Sequence, residues 1–249
     1  MGQALLPKWR DDWALFLDVD GTLLKIAATP AAVSVPKRIV DVLAHLQRRL
    51  SGALALVSGR RIADLDSLFA PLKLPAAGTH GAERRDAAGR PHGRDYTAAL
   101  APAKQVLTAW AAAHPGALVE DKGAALALHY RAVPELEDDA RRTVAAARAA
   151  AGSDFHIQGG KKVLEIKAGD VGKGHAIAQF MTEPPFAGRV PVFLGDDLTD
   201  EDGFEVVNAR GGYSIAVGVG HETCARWHLE DEAEVLQWLE SCAGGELDG

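Results

Sequence analysis

Trp13-Ala14-Leu15-Phe16-Leu17 runs without a break into Asp18-Val19-Asp20-Gly21-Thr22. A short, wholly apolar run reads as a strand buried on both faces, and the switch to carboxylates, glycine and threonine marks its C-terminal end. The same arrangement recurs outward from it. Pro36 opens a helical pattern through Ile39, Leu43, Leu46 and Leu50, with proline at a tolerated first position. Ala53 to Val57 is a second apolar run, ending in Ser58-Gly59-Arg60 before a helix-like stretch from Ile62 to Phe69. Late in the chain, Val190 to Leu194 ends in Gly195-Asp196-Asp197; a helix-like Asp200 to Asn208 and a strand-like Tyr213 to Val217 follow. Asp231 to Leu239, with Val235, Leu236 and Leu239 on one side, reads as a covering helix. Strands alternating with helices imply an α/β fold with a parallel sheet.

The middle of the chain reads differently. Leu118 to Glu120 and Ala125 to Tyr130, separated by Asp121-Lys122-Gly123, resemble a hairpin, as do Asp154 to Gln158 with Val163 to Lys167. Two alanine-rich helical patterns, Ala98 to Ala113 and Leu136 to Ala150, alternate with them. Roughly 80 residues with their own strands and helices exceed any loop of a compact domain. The expected division is a core from residues 1–82 and 168–249 and an inserted domain from 83–167.

The 249 residues, 47% of them hydrophobic and 24% charged, suit a folded chain with a sizeable core. The net charge of -7 provides no broad positive field, so nucleic acid and anionic membrane are not expected partners, and an anionic substrate must meet a local cluster of cations. Cys224 and Cys242 show no metal-ligand or disulfide pattern, which fits a reducing compartment. The most apolar stretch, Thr97 to Val119, is interrupted by Lys104, His114 and Pro115. The start, Met1 to Leu6, resembles neither a signal peptide nor a myristoylation site, and the expected location is the cytoplasm.

Ligands of open parallel sheets bind beyond the carboxyl ends of the strands, where this chain deposits Asp18, Asp20, Ser58 and Asp196-Asp197, with Lys173 completing the set. Carboxylates, a hydroxyl and a lysine are the groups needed to hold a divalent cation and a phosphoryl group. One carboxylate could then act as nucleophile while its neighbour two positions on serves the leaving oxygen. An Asp-x-Asp-Gly run also occurs in plain turns and calcium loops. Two nucleotide motifs are excluded: Gly172-Lys173-Gly174 has Lys167 where a P-loop needs glycine and Gly174 where it needs Ser or Thr, and Gly218-Val219-Gly220 is followed by Thr223 at the third glycine position.

Taken together, Asp18-Val19-Asp20-Gly21-Thr22, Ser58-Gly59-Arg60, Lys173 and Gly195-Asp196-Asp197 resemble the four ordered motifs of the haloacid dehalogenase-like phosphatases. Further stretches resemble the trehalose-6-phosphate phosphatase family: Gly78-Thr79-His80-Gly81, Glu120-Asp121-Lys122 with His129-Tyr130-Arg131, Gly160-Lys161-Lys162-Val163-Leu164-Glu165-Ile166, and Gly195 through Asp202. The resemblance spans about Leu15 to Leu239. It departs at Gly172, where the family commonly has Asp.

The resemblance implies a doubly wound, Rossmann-like core with an inserted smaller α/β cap, and Mg²⁺-dependent hydrolysis of trehalose 6-phosphate. Asp18 would be the nucleophile and Asp20 the general acid and later base. Mg²⁺ would be held by Asp18, the backbone carbonyl of Asp20 and Asp196, with Asp197 or Asp200 acting through water. Ser58 and Lys173 would bind the phosphoryl oxygens. Glu120, Lys122, Arg131 and Glu165 on the cap suit a disaccharide, whose many hydroxyls call for charged groups able to make several hydrogen bonds each. His80 is a further substrate contact or a structural histidine, as is His129. Arg60 and Arg61 add positive potential or cover a helix surface. The other readings are a phosphatase for another sugar phosphate, such as sucrose 6-phosphate, and a receiver-type phospho-acceptor module.

Overall fold

The computed structural model describes residues 6–26, 33–93, 95–160, 162–169, 171–218 and 220–244. Met1 to Leu5, Lys161 and Val219 of the stretches above lie outside the described residues. The chain forms two compact units, Met1–His92 with Gly172–Gly249, and Gly93–Val171.

The first unit begins with β1 (Trp13–Leu17), α1 (Lys37–Arg49), β2 (Leu54–Val57), α2 (Ile62–Leu68), β3 (Ala76–Gly78), β4 (Glu83–Arg85) and β5 (Pro91–Gly93). The second unit contributes α3 (Thr97–Ala113), β6 (Leu118–Asp121), β7 (Ala125–His129), α4 (Glu137–Ala151), β8 (Phe155–Gly160) and β9 (Val163–Ala168). The first unit then resumes with α5 (Lys173–Phe180), β10 (Val190–Gly195), α6 (Glu201–Ala209), β11 (Tyr213–Val217), β12 (Trp227–Leu229) and α7 (Glu232–Ala243).

The core sheet has the order β12-β11-β10-β1-β2-β3-β4-β5, parallel from β12 to β3 and antiparallel between β3 and β4. All five residues of β1 are buried, as a central parallel strand requires. Trp13 and Phe16, three apart on a strand, point to opposite faces and show how each face is covered. Trp13 packs on Trp238 of α7 with ring centroids 5.9 Å apart, and α7 in turn contacts α1. Phe16 packs on Phe180 of α5 at 5.9 Å, while its register partner Phe193 meets Phe204 of α6 at 5.4 Å. Helices therefore cover both faces. In α1 the buried Ile39, Val42, Leu43 and Leu46 form the expected apolar stripe, and α7 begins where the Asp231 carboxylate accepts the N–H groups of Ala233 and Glu234.

The second unit is an antiparallel sheet of order β6-β7-β9-β8 with α3 packed on α4. Leu126, Leu128, Leu164 and Ile166 form its buried interior rows. The units part after His92 and after Val171, rather than near 82 and 167, because Glu83 to Arg85 pairs with β3 and extends the core sheet, while Gly169 donates to the carbonyl of Asp154 at 2.7 Å.

Candidate active site

Asp18 follows the last residue of β1 and is fixed at the backbone by donation to the Leu194 carbonyl at 3.0 Å. The turn after it depends on Gly21, whose φ of +83° suits glycine. A Cβ there would also lie within 2.9 Å of all three terminal atoms of the Asp196 carboxylate. Thr22 is buried and donates to Asp196 Oδ1 at 3.2 Å, so the ends of β1 and β10 are fastened together. Gly195 is needed for a similar reason: an added Cβ would be 2.7 Å from Asp200 Oδ1.

Lys173, the first residue of α5, is buried with its Nζ 3.0 Å from Asp18 Oδ1 and 2.7 Å from Asp200 Oδ1. Asp200 is fully buried, and its other oxygen accepts the N–H groups of Asp196 at 3.1 Å and Asp197 at 3.0 Å. Two carboxylates thus converge on one ammonium, with the Asp196 carboxylate close to both. Burial pushes Asp18 up to about 7, with the neighbouring Asp196 adding to the effect and Lys173 opposing it. Burial likewise pushes Asp200 up to about 7, followed by the Asp18 charge. Asp196 is raised by burial as well. Burial works against the charge of Lys173, but Asp18 and Asp200 outweigh it and hold the ammonium above its ordinary range.

Such a cluster has negative charge to spare. Oxygens of Asp18, Asp196 and Asp200 lie within 4.8 Å of one another, and hard oxygen donors suit a divalent cation. Both Asp200 oxygens are already engaged by Lys173 and the backbone, leaving Asp18 and Asp196 as the more available ligands. Asp197 is different: it is exposed and accepts the N–H of Leu198 at 2.6 Å, capping its own short turn. The two acids that the sequence left equivalent are therefore distinguished by the fold.

Ser58 follows β2 and donates its N–H to the Ala77 carbonyl, while its hydroxyl accepts the Arg60 N–H at 3.2 Å. Behind this loop His80 adopts a left-handed conformation (φ 54°), with its N–H on the Ser58 carbonyl at 2.9 Å. Its ring lies so near Gly59 that a Cβ there would be 2.7 Å from it. His80 therefore braces the loop that carries Ser58. Asp20 is gripped by Arg60 through two hydrogen bonds of 2.6 Å, a pairing that the sequence reading missed.

Gly172 is also accounted for. Asp202 of α6 accepts the Gly174 N–H at 3.1 Å, and any Cβ on residue 172 would collide with that same carboxylate. The acid lacking at 172 is supplied to the start of α5 from a neighbouring helix.

In the second unit, register places Glu120, Ala127, Glu165 and Gln158 in one row across the four strands, so their side chains share a face. Lys122 pairs with Glu165 at 3.1 Å, and His129 meets Glu120 at 3.0 Å. The next row contains Lys167 and His156; burial and then the Lys167 charge lower the His156 imidazole below its usual range. The small Ala125 and Ala127 of β7 lie between these polar groups. Arg131 follows β7 and is exposed. His129 and Gln158 thus join Glu120, Lys122 and Glu165; the alternation along β8 and β9 was the available signal for Gln158.

The sequence pattern of the trehalose-phosphatase family matches residues 16–234. The chain belongs to that family. A probable trehalose-phosphate phosphatase of Sinorhizobium fredii is 50% identical over 208 residues, covering 84% of this chain and 78% of the relative. The trehalose-6-phosphate phosphatase of Escherichia coli is 47% identical over 235 residues, covering 94% and 88%. Among solved structures, the C-terminal domain of Candida albicans trehalose-6-phosphate phosphatase superposes with a TM-score of 0.75 over 94% of this chain and 92% of that one; at 24% identity the likeness shows a shared fold. This trehalose-phosphatase family member is a phosphoric monoester hydrolase. No helix among its described residues is long and apolar enough to cross a membrane.

Proposed function

We propose that the protein is a Mg²⁺-dependent phosphatase that converts trehalose 6-phosphate to trehalose and inorganic phosphate through a phosphoryl group carried on Asp18. The observation that carries this reading is the cluster of Asp18, Asp196 and Asp200 around Lys173 at the ends of β1 and β10, beside the Ser58 loop. Asp18 attacks phosphorus, its oxygen forming the new P–O bond as the bond to the sugar oxygen breaks, and Asp20 gives a proton to the departing oxygen. Asp20 then takes a proton from water, whose oxygen attacks phosphorus and returns Asp18 as a carboxylate. Lys173 and the Ser58 hydroxyl bind phosphoryl oxygens. Asp18, Asp196 and the carbonyl of Asp20 would hold Mg²⁺, with Asp200 orienting the set; the ion would neutralise charge on the phosphoryl oxygens. Asp197 belongs to the same loop at greater remove.

The second unit is read as the cap that recognises the sugar, through Glu120, Lys122, Glu165 and Arg131, with His80 supporting the core site. Charged groups spaced by a row of small alanines suit a hydroxyl-rich ligand without further charge. A cytoplasmic location goes with this reading and is supported by two free cysteines.

The test is phosphate release from trehalose 6-phosphate, sucrose 6-phosphate and glucose 6-phosphate, each with Mg²⁺ and with chelator. The reading expects Mg²⁺-dependent turnover with the highest kcat/KM on trehalose 6-phosphate. A clear preference for either other sugar would refute the substrate, and undiminished release in chelator would refute the metal requirement.

A further inference from the structure

Asp20 lies beyond the end of β1, in a turn that leaves its side chain 35% exposed. A carboxylate in such a place ordinarily samples several rotamers, yet it must meet both a departing sugar oxygen and an incoming water. Arg60 restrains it at two points: Nε donates to one Asp20 oxygen and Nη2 to the other, each at 2.6 Å. The backbone that carries this guanidinium is itself anchored. The Arg60 side chain is 13% exposed, its backbone N–H donates to the Ser58 hydroxyl at 3.2 Å, and its backbone carbonyl accepts the Thr79 N–H at 2.8 Å. The residue that grips Asp20 thus belongs to the loop assigned above to phosphoryl binding. A planar fork matched to a planar carboxylate fixes orientation as well as distance, which an ammonium cannot do.

We propose that Arg60 is the positioning residue of Asp20, holding its carboxylate in register with the Ser58 loop so that both proton transfers occur from one fixed place. The inference rests on the phosphatase reading, because it needs Asp20 to handle those protons. Positioned acid-base help is worth ~10²–10⁴-fold, and loss of the fork forfeits part of it. Arg60→Gln and Arg60→Lys should each lower kcat on trehalose 6-phosphate by roughly 10–100-fold. KM and inhibition by inorganic phosphate should stay within about threefold, because the phosphoryl contacts of Ser58 and Lys173 remain. Lysine should not rescue, since it keeps the charge and loses the fork.

The decisive experiment places both substitutions in wild type and in Asp20→Asn, with melting temperatures measured throughout. If Arg60 acts through Asp20, its replacement costs about nothing further once Asp20 is Asn. The same fold-loss in both backgrounds would overturn the proposal. Weakened phosphate inhibition alongside a raised KM would overturn it in favour of direct phosphoryl contact, as would full activity of Arg60→Lys. A fall in melting temperature that tracks the activity loss in both backgrounds would reduce Arg60 to a structural role. Wild-type turnover in the same assay separates the two claims: a wild type that releases no phosphate refutes the phosphatase reading and this inference together, whereas an active wild type with an additive Arg60 effect refutes the inference alone.

Discussion

Gly21→Ala separates two demands made on one residue. The first is backbone conformation: at φ +83° an added Cβ costs about 1–2 kcal/mol. The second is space, because that Cβ would lie within 2.9 Å of the terminal atoms of Asp196, so the carboxylate must retreat by roughly 1 Å to regain ordinary contact. Retreat breaks its bond with Thr22 and moves a proposed metal ligand relative to Asp18. A displacement of about 1 Å at a reacting centre costs on the order of 100-fold in rate. Gly89→Ala is the control, since φ is +79° and nothing lies within 4 Å of an added Cβ. Both variants should melt about 2–8 °C below wild type. Only Gly21→Ala should lose kcat, by about two orders of magnitude, and require more Mg²⁺ for half-maximal activity. The assay is a Mg²⁺ titration of phosphate release beside thermal melts. Equal activity of the two variants would show that the approach of Gly21 to Asp196 does not set the site.

Asp200→Asn and Asp18→Asn each remove one of the two buried carboxylates that meet Lys173 and each relieve like charge, but only Asp200→Asn also turns an amide toward backbone N–H groups, so thermal melts should show the larger loss there, about 3–5 kcal/mol, while Asp18→Asn takes turnover to background. Equal melting losses in the two would contradict this arrangement. Asp18 and Asp200, raised to about 7, make the metal-free folded state bind more protons than the unfolded chain between about pH 4 and 7, so its stability should decline as pH rises through that window. Mg²⁺ competes with those protons, and the melting shift it produces should be larger near pH 8 than near pH 5; an equal or reversed difference would count against a cation among these carboxylates. Glu165→Ala and Glu120→Ala should lower kcat/KM on trehalose 6-phosphate by about 10-fold or more while sparing a small aryl phosphate, each lost charged hydrogen bond being worth ~1.5–3 kcal/mol. Equal losses on both substrates would remove these glutamates from sugar recognition.

The buried strands β1, β2, β10 and β11 were legible because a central parallel strand has no solvent face and so reads as an unbroken apolar run with a polar end. The gathering of Asp18, Ser58 and Asp196 at one end of the sheet was legible for the same reason, since they are those polar ends. Three-residue strands such as β3, β4 and β12 are too short to show a period, and α5 was obscured by Gly172 and Gly174, whose places are set by Asp202 on another helix. Asp197 and Asp200 look alike in sequence; only the packing of α5 shows that Asp200 meets Lys173. Arg60 and Asp20 are 40 residues apart, and their pairing arises from the adjacency of β1 and β2.

The most direct test of the central claim is to give trehalose 6-phosphate and Mg²⁺ to Asp20→Asn, quench in acid within the first turnover, and locate the transferred phosphoryl group by peptide mass spectrometry. Loss of the sugar proton donor and of the water-activating base should slow both steps and still leave Asp18 able to accept the group. The expected result is a phosphoryl group on Asp18 and nowhere else, absent when Asp18 is also replaced by Asn. Phosphate released with no phosphorylated Asp18 at any time, or the group found on another residue, would contradict the account.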